Sequence, residues 1–197
     1  LSTHHDNPYL TIDQRASIEK LKETDPELYL QLGEARFVKP SGAYFKEFER
    51  HIHVIEPFII PREWKRYRVL DYGLDKLACY WIAIDFHGKA YVYKELWESD
   101  LIVSAAAKRI IDMTLPEENI YQTLAPPDLW NRNRDTGKST AQIFSDSGIY
   151  LIQASNQFAQ GCLDLKEWLA PYDTIHEQTG EPLKTANLVI FDNCVNL

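Results

Sequence analysis

The residues of this chain best suited to chemistry crowd into one stretch, APPDLWNRNRDTGKST, residues 125–140. Its final part, Thr136-Gly137-Lys138-Ser139, has the ending of a phosphate-cradling P-loop, while Asp128 is a lone carboxylate between two prolines and Leu129-Trp130. A P-loop needs glycine five residues before its Gly-Lys, because the backbone bends tightly there and turns its N–H groups inward to the phosphates. Arg132 occupies that place, and its side chain would fill the nest. Pro126, Pro127 and Asp128 also separate the loop from the strand that should launch it. The stretch is therefore not read as an ATP site, and Thr136 to Thr140 read as a polar turn in which Ser139 caps the next helix.

The second acid of interest is Asp71, at the end of RYRVLD and just ahead of Tyr72-Gly73. Two carboxylates at one point repel each other unless a hard cation sits between them, so a meeting of Asp71 with Asp128 calls for Mg2+ or Mn2+. Whether they meet depends on the elements that carry them. RYRVLDYG, ACYWIAID and AYVYKELW read as an antiparallel meander, its last two strands joined by a turn at FHGK. A helix over LIVSAAAKRIIDM follows, then a strand NIYQTLA that runs into Asp128 and a helix from Ser139 to about Ser147 stopped by Gly148. A strand IYLIQA, a helix from Asn156 through EWLAP and a last strand NLVIFD complete the order βββαβαβαβ. The crossover through the first helix must be right-handed, which lays NIYQTLA parallel to the first strand of the meander. Asp71 and Asp128 then reach one edge of the sheet, where open α/β sheets place their ligands. The plainer reading stays open as well: Asp71 suits a strand-end turn before glycine, and Asp128 a turn cap after prolines.

The composition permits such a domain. With 45% hydrophobic and 25% charged residues the chain can bury a core and is not a disordered tract. A net charge of −8 argues against a surface built for broad nucleic-acid contact. It does not exclude DNA, because a carboxylate site contributes to that count and reverses its local sign on metal binding. Cys79, Cys162 and Cys194 are odd in number and far apart, with no CxxC pair, and read as buried thiols in a reduced cytosolic setting. No apolar run approaches the roughly 20 residues of a membrane span, and no secretory signal pattern opens the chain.

Residues 1–65 hold two helix signatures. One is TIDQRASIEKLKE, where Thr11 and Gln14 form a capping box; the other is DPELYLQLG, with Asp25 as N-cap, Pro26 at the first helical position and Gly33 as stop. A turn at KPSG and the proline-punctuated run to HIHVIEPFIIP read as a connector. His4, His5, His51 and His53 have no carboxylate or cysteine in step and read as packing rather than metal ligands.

RVLDYG, YVYKELWES and above all APPDLWNRNRDTGKST, followed by ASNQFAQGCLDLKEWL and LVIFDNCVNL, resemble the C-terminal nuclease domain of the large terminase subunit of tailed bacteriophages and prophages. The resemblance spans residues 66–197, and GAYFKEFERHIHVIEPFIIPREW is similar to the segment joining the ATPase motor to that nuclease. It implies an α/β, RNase H-like fold: a central mixed sheet, a three-strand antiparallel meander plus parallel strands, flanked by helices. Residues 1–65 would then be motor tail and linker, and both ends of the chain would be cut from a longer one. The implied activity is a metal-dependent endonuclease that cuts concatemeric viral DNA during genome packaging, by two-metal phosphodiester hydrolysis with Mg2+ or Mn2+. Asp71 matches the family's first metal-binding catalytic aspartate and Asp128 the second, with a third carboxylate expected beyond Leu197. Asp192 does not match that third acid and reads as structural.

On this resemblance Arg132, Arg134 and Lys138 gain a role as phosphate contacts beside the metals, against the plain reading of a solvated loop. Asp75 is an auxiliary acid or a solvated turn residue, and Trp130 reads as packing. No protein nucleophile is required, in keeping with a chain that has no convincing Ser-His or Cys-His arrangement. The implied partners are double-stranded DNA, the portal protein and the small terminase subunit, in the bacterial host cytoplasm, with the ATP site in a motor N-terminal to this chain. Other classes fit the same residues: a catalytically silent DNA- or portal-binding module, or another RNase H-like nuclease of resolvase or transposase type. A nucleotide-binding regulator would require Lys138 to contact a nucleotide.

Overall fold

The computed structural model describes residues 3–24, 29–30, 33–34, 44–73, 75–134, 137–175 and 179–197. The chain divides into two units, Leu1–Lys46 and Glu47–Leu197. In the first, Thr11 Oγ1 accepts from the Gln14 N–H at 3.2 Å while Gln14 Oε1 accepts from the Thr11 N–H at 3.0 Å, the reciprocal cap that opens α1, Ile12–Thr24. His4 is buried, with Nδ1 2.7 Å from the Gly33 carbonyl and Nε2 2.8 Å from Glu19. Asp25, Pro26 and the KPSG turn lie outside the described residues.

The second unit opens with α2 (Arg50–His53) and β1 (Val54–Ile55), then β2 (Lys65–Tyr72), β3 (Lys76–Ile84) and β4 (Ala90–Ser99). It continues through α3 (Val103–Met113), β5 (Ile120–Ala125), a 3₁₀ turn (Pro127–Trp130), α4 (Thr140–Asp146) and β6 (Leu151–Gln153). The chain then forms α5 (Phe158–Leu169), β7 (Tyr172–Ile175), β8 (Pro182–Thr185) and β9 (Leu188–Phe191). One sheet runs in the order β1-β9-β4-β3-β2-β5-β6, and β7 with β8 makes a separate hairpin. The meander β2-β3-β4 is antiparallel, and β5 joins β2 in parallel, the direction that the right-handed crossover through α3 imposes.

Two elements depart from the sequence reading. The stretch read as a connector contributes β1, which pairs in parallel with β9 (Val54 opposite Ile190), so the sheet begins well before residue 66. The β7–β8 hairpin occupies a stretch between α5 and β9 to which no element had been assigned. Arg66 ties the preceding residues down. It is 4% exposed, and its guanidinium donates to the carbonyls of Ile60 and Pro61 at 3.1 and 2.9 Å.

Period-two alternation builds the core. Leu77, Cys79, Trp81 and Ala83 of β3 are buried on one face beside Leu70 of β2 and Leu96 of β4. Helix α3 covers that face with Ala106, Ala107 and Ile110, and α4 adds Ala141 and Phe144. The two alanines let α3 lie close to the sheet. Trp81 is fully buried and its Nε1–H donates to Thr114 Oγ1 at 3.1 Å, so replacing it with alanine would cost roughly 3–5 kcal/mol. The other face carries a smaller cluster of Val92, Ile190 and Cys194 with Phe48, Tyr80, Ile82 and Leu188 against it. All three cysteines are free and buried. No helix among the described residues is long and apolar enough to cross a membrane.

Candidate metal and DNA site

Leu70 and Tyr72 pack into the main core, so strand alternation turns Asp71, between them, to the opposite face, where it is exposed and opposite Ala78 of β3. The parallel ladder between β2 and β5 puts Val69 opposite Leu124, and both strands run out at the same edge within three residues. Beyond Ala125, Pro126 and Pro127 have no N–H to continue a ladder, and the chain enters the 3₁₀ turn. Leu129, 4% exposed, plugs that turn into the core and Trp130 packs against the same cluster. The Asn131 N–H donates to the Asp128 carbonyl at 2.9 Å. With Leu129 inward, Asp128 is left exposed.

The fold thus delivers Asp71 and Asp128 to one edge from two neighbouring parallel strands. Among the described residues neither carboxylate makes a hydrogen bond or ion pair, so both keep their oxygens available. Those donors are hard and anionic, the kind that Mg2+ or Mn2+ takes. Asp75 is exposed in the β2–β3 turn at the same end, a turn closed by the Gly73 N–H on the Lys76 carbonyl at 2.9 Å. No group of three or more His, Cys, Asp or Glu residues poised for a metal ion occurs among the described residues.

The loop after Asp128 folds back on itself. Arg132 and Ser139 form an antiparallel bridge, the Asn133 N–H donates to the Lys138 carbonyl at 3.0 Å, and Gly137 adopts φ 67°. The Asn133 and Gly137 N–H groups are thereby spent on the loop carbonyls of Lys138 and Asn133 rather than on a phosphate. Ser139 Oγ accepts from the Gln142 N–H at 3.1 Å and caps α4. Arg132 and Arg134 are exposed. Lys138 instead sets its ammonium 2.7 Å from Asp146, eight residues on in α4. Thr136 lies outside the described residues.

Asp192 is exposed and its N–H donates to the Ile55 carbonyl at 3.0 Å, closing the β1–β9 edge. His53 is fully buried, accepting at Nδ1 from the Glu49 N–H and placing Nε2 2.8 Å from the Leu169 carbonyl, which pins α2 to the end of α5. His51 is exposed, with Glu49 at 3.7 Å. A cavity of about 970 Å3 lies at the opposite end of β3, between the turn at residues 85–89 and the β7–β8 hairpin. There burial lowers the pKa of Lys89, whose Nζ donates to Thr185 Oγ1 at 2.6 Å. That cavity is remote from the acid edge. Sequence reasoning passed over Lys76 and Trp97, which share the face of Asp71; the ladder register was the missing signal.

No protein-family model matches the sequence, and no curated protein does. Solved structures do. The nuclease domain of the P22 large terminase matches with a TM-score of 0.59 and 16% identity, over 78% of this chain and 74% of that one. The large terminase of the thermophilic bacteriophage D6E, in complex with ADP, matches with a TM-score of 0.59 and 16% identity over 98% of this chain. This chain spans 44% of the length of that protein. The fold is therefore RNase H-like, a mixed sheet flanked by helices. More narrowly, it is the fold of large-terminase nuclease domains.

Proposed function

We propose that this chain is a divalent-metal-dependent DNA endonuclease that cuts concatemeric viral DNA during genome packaging. The observation that carries the proposal is the convergence of Asp71 and Asp128, two carboxylates without a partner among the described residues, at the ends of parallel β2 and β5 in a terminase-nuclease fold. Asp71 and Asp128 would hold Mg2+ or Mn2+, which when bound supplies Lewis-acid chemistry: a more acidic water for attack on the phosphodiester and neutralisation of charge on the leaving 3′ oxygen. The chain's own contribution is to fix the two acids through rigid elements. Arg132 and Arg134 would hold the DNA backbone without reading sequence, with Lys138 joining them on release from Asp146. Asp75 would be an auxiliary acid at the same end.

Residues 1–65 are assigned to the tail of a packaging motor and its linker, with Val54–Ile55 contributing the sheet's first strand, and residues 66–197 to the nuclease. Double-stranded DNA is the proposed substrate, and the portal protein and small terminase subunit are the proposed partners in the bacterial host cytoplasm.

Supercoiled plasmid incubated with the chain and Mg2+ or Mn2+, with and without chelator, tests the proposal beside Asp71→Asn and Asp128→Asn. Metal-dependent nicking that falls at least about 100-fold in either variant is expected, since each removes a charge that must balance the ions. Wild-type nicking no faster than that of Asp71→Asn would sink the nuclease reading and leave a silent DNA-binding module in its place.

A further inference from the structure

The ladder register places two further residues beside Asp71. Asp71 of β2 lies opposite Ala78 of β3, and Ala78 lies opposite Trp97 of β4, so the three form one row across the sheet on the face turned away from the main core. At a strand spacing of about 4.8 Å, the backbones of Asp71 and Trp97 are roughly 10 Å apart. Only the methyl group of Ala78 rises between them. Trp97 is 42% exposed, in contrast to the fully buried Trp81. Lys76, two residues before Ala78 and on the same face, is exposed and holds its ammonium 5.0 Å from the centre of the Trp97 ring.

Lys76 stands close in sequence to Asp71 and Asp75, yet it forms no ion pair with any described residue; it lies over the indole instead. Resting on the ring fixes a long side chain that would otherwise sample many rotamers. An anionic DNA strand approaching the acidic edge of a chain of net charge −8 needs a cation on the face it approaches.

We infer that Lys76, braced by Trp97, is a phosphate-binding clamp for the DNA strand that crosses the sheet face beside Asp71. Lys76 contacts a backbone phosphate a nucleotide or two from the reacting one, and Trp97 orients the ammonium and packs against the neighbouring deoxyribose. The inference rests on the nuclease reading for the identity of the ligand, but its test does not depend on cleavage.

The test is equilibrium binding of a fluorescently labelled DNA duplex to the full 197-residue chain, in chelator and across a KCl series. Lys76→Gln is expected to weaken binding severalfold and to lower the slope of log K against log salt by about 1, as loss of one phosphate contact does. Lys76→Arg restores both, because it keeps the charge. Trp97→Ala reproduces the loss, Trp97→Phe spares most of it, and the double variant Lys76→Gln/Trp97→Ala is little worse than either single one, because both remove the same contact. Thermal midpoints are measured alongside. A merely structural cross-strand pair would lower the midpoint and leave the salt slope unchanged, which overturns the inference. Failure of Lys76→Arg to restore binding overturns it too, as does a chain that binds no DNA. Plasmid nicking by Asp71→Asn separates the two ideas: nicking that needs Asp71 with a salt slope indifferent to Lys76 leaves the nuclease without the clamp. A salt slope that needs Lys76 in a chain that never nicks leaves the clamp without the nuclease.

Discussion

Truncating Leu129 to alanine removes the anchor of the turn that carries Asp128 and leaves the carboxylate in place. Leu129 is 4% exposed and lies in the main core cluster, whereas Asp128 beside it is exposed and makes no contact with a partner among the described residues. The substitution deletes three buried carbons at about 0.8 kcal/mol each, or about 2.4 kcal/mol of transfer free energy. The remaining cavity adds to this, and since such truncations run roughly 2–5 kcal/mol, a loss of about 3 kcal/mol is expected. For a unit of this size each kcal/mol moves the thermal midpoint by roughly 2–4 °C, which predicts a fall of about 6–12 °C. Asp128→Asn is isosteric and exposed, so its stability should stay within about 0.5 kcal/mol of the parent. Circular dichroism melts run beside plasmid nicking separate the two effects: Leu129→Ala loses stability, with nicking reduced because the turn is loosened, and Asp128→Asn loses nicking at an unchanged midpoint. The reasoning is refuted if Leu129→Ala shifts the midpoint by less than about 2 °C, or if Asp128→Asn shifts it as much as Leu129→Ala does.

Alkaline pH offers a second check. Burial pushes the thiols of Cys79 and Cys194 up to about 12 from the ordinary 9.0, Cys194 with further help from Glu95 and Asp192. Between those values the folded chain keeps protons that the unfolded chain gives up, so stability is full below about 9 and falls as pH rises toward about 12. Urea midpoints should therefore hold up to about pH 9 and drop between about pH 9 and about pH 10.5, less steeply in Cys79→Ala; equal slopes in the two chains would count against it. The Lys138–Asp146 pair is about half exposed on both sides and contributes less than about 1 kcal/mol. Asp146→Asn should leave the melt almost unchanged and tighten DNA binding at low salt; unaltered affinity would argue against a phosphate role for Lys138.

The sequence carried the local grammar of this fold, and the structure bears it out where the signal was local. Ser139 caps α4 and Gly148, at φ 91°, ends it. Apolar alternation in β3 and the helical period of α3 identified those elements, and chirality of the crossover then fixed the parallel pairing of β2 with β5. What escaped depended on partners distant in sequence. Val54 and Ile55 become a strand only because β9 lies alongside them, and two residues carry too little pattern to be read alone. Arg66 sits inside because nearby carbonyls accept hydrogen bonds from its guanidinium, which no charge count reveals. Lys138 lay in a basic loop by sequence, and only the return of α4 brought Asp146 within 2.7 Å.

For the candidate site, the sequence by itself determined which acids stand at strand ends, because a strand's end and a proline pair are written in neighbouring residues. The tertiary structure decided that the edge is shared, that Leu129 turns inward and leaves Asp128 out, and that Lys76 and Trp97 stand on the face of Asp71. Those are matters of register between strands. Register is set by the packing of the whole sheet, since a slip of one residue would turn every side chain of a strand to the other face.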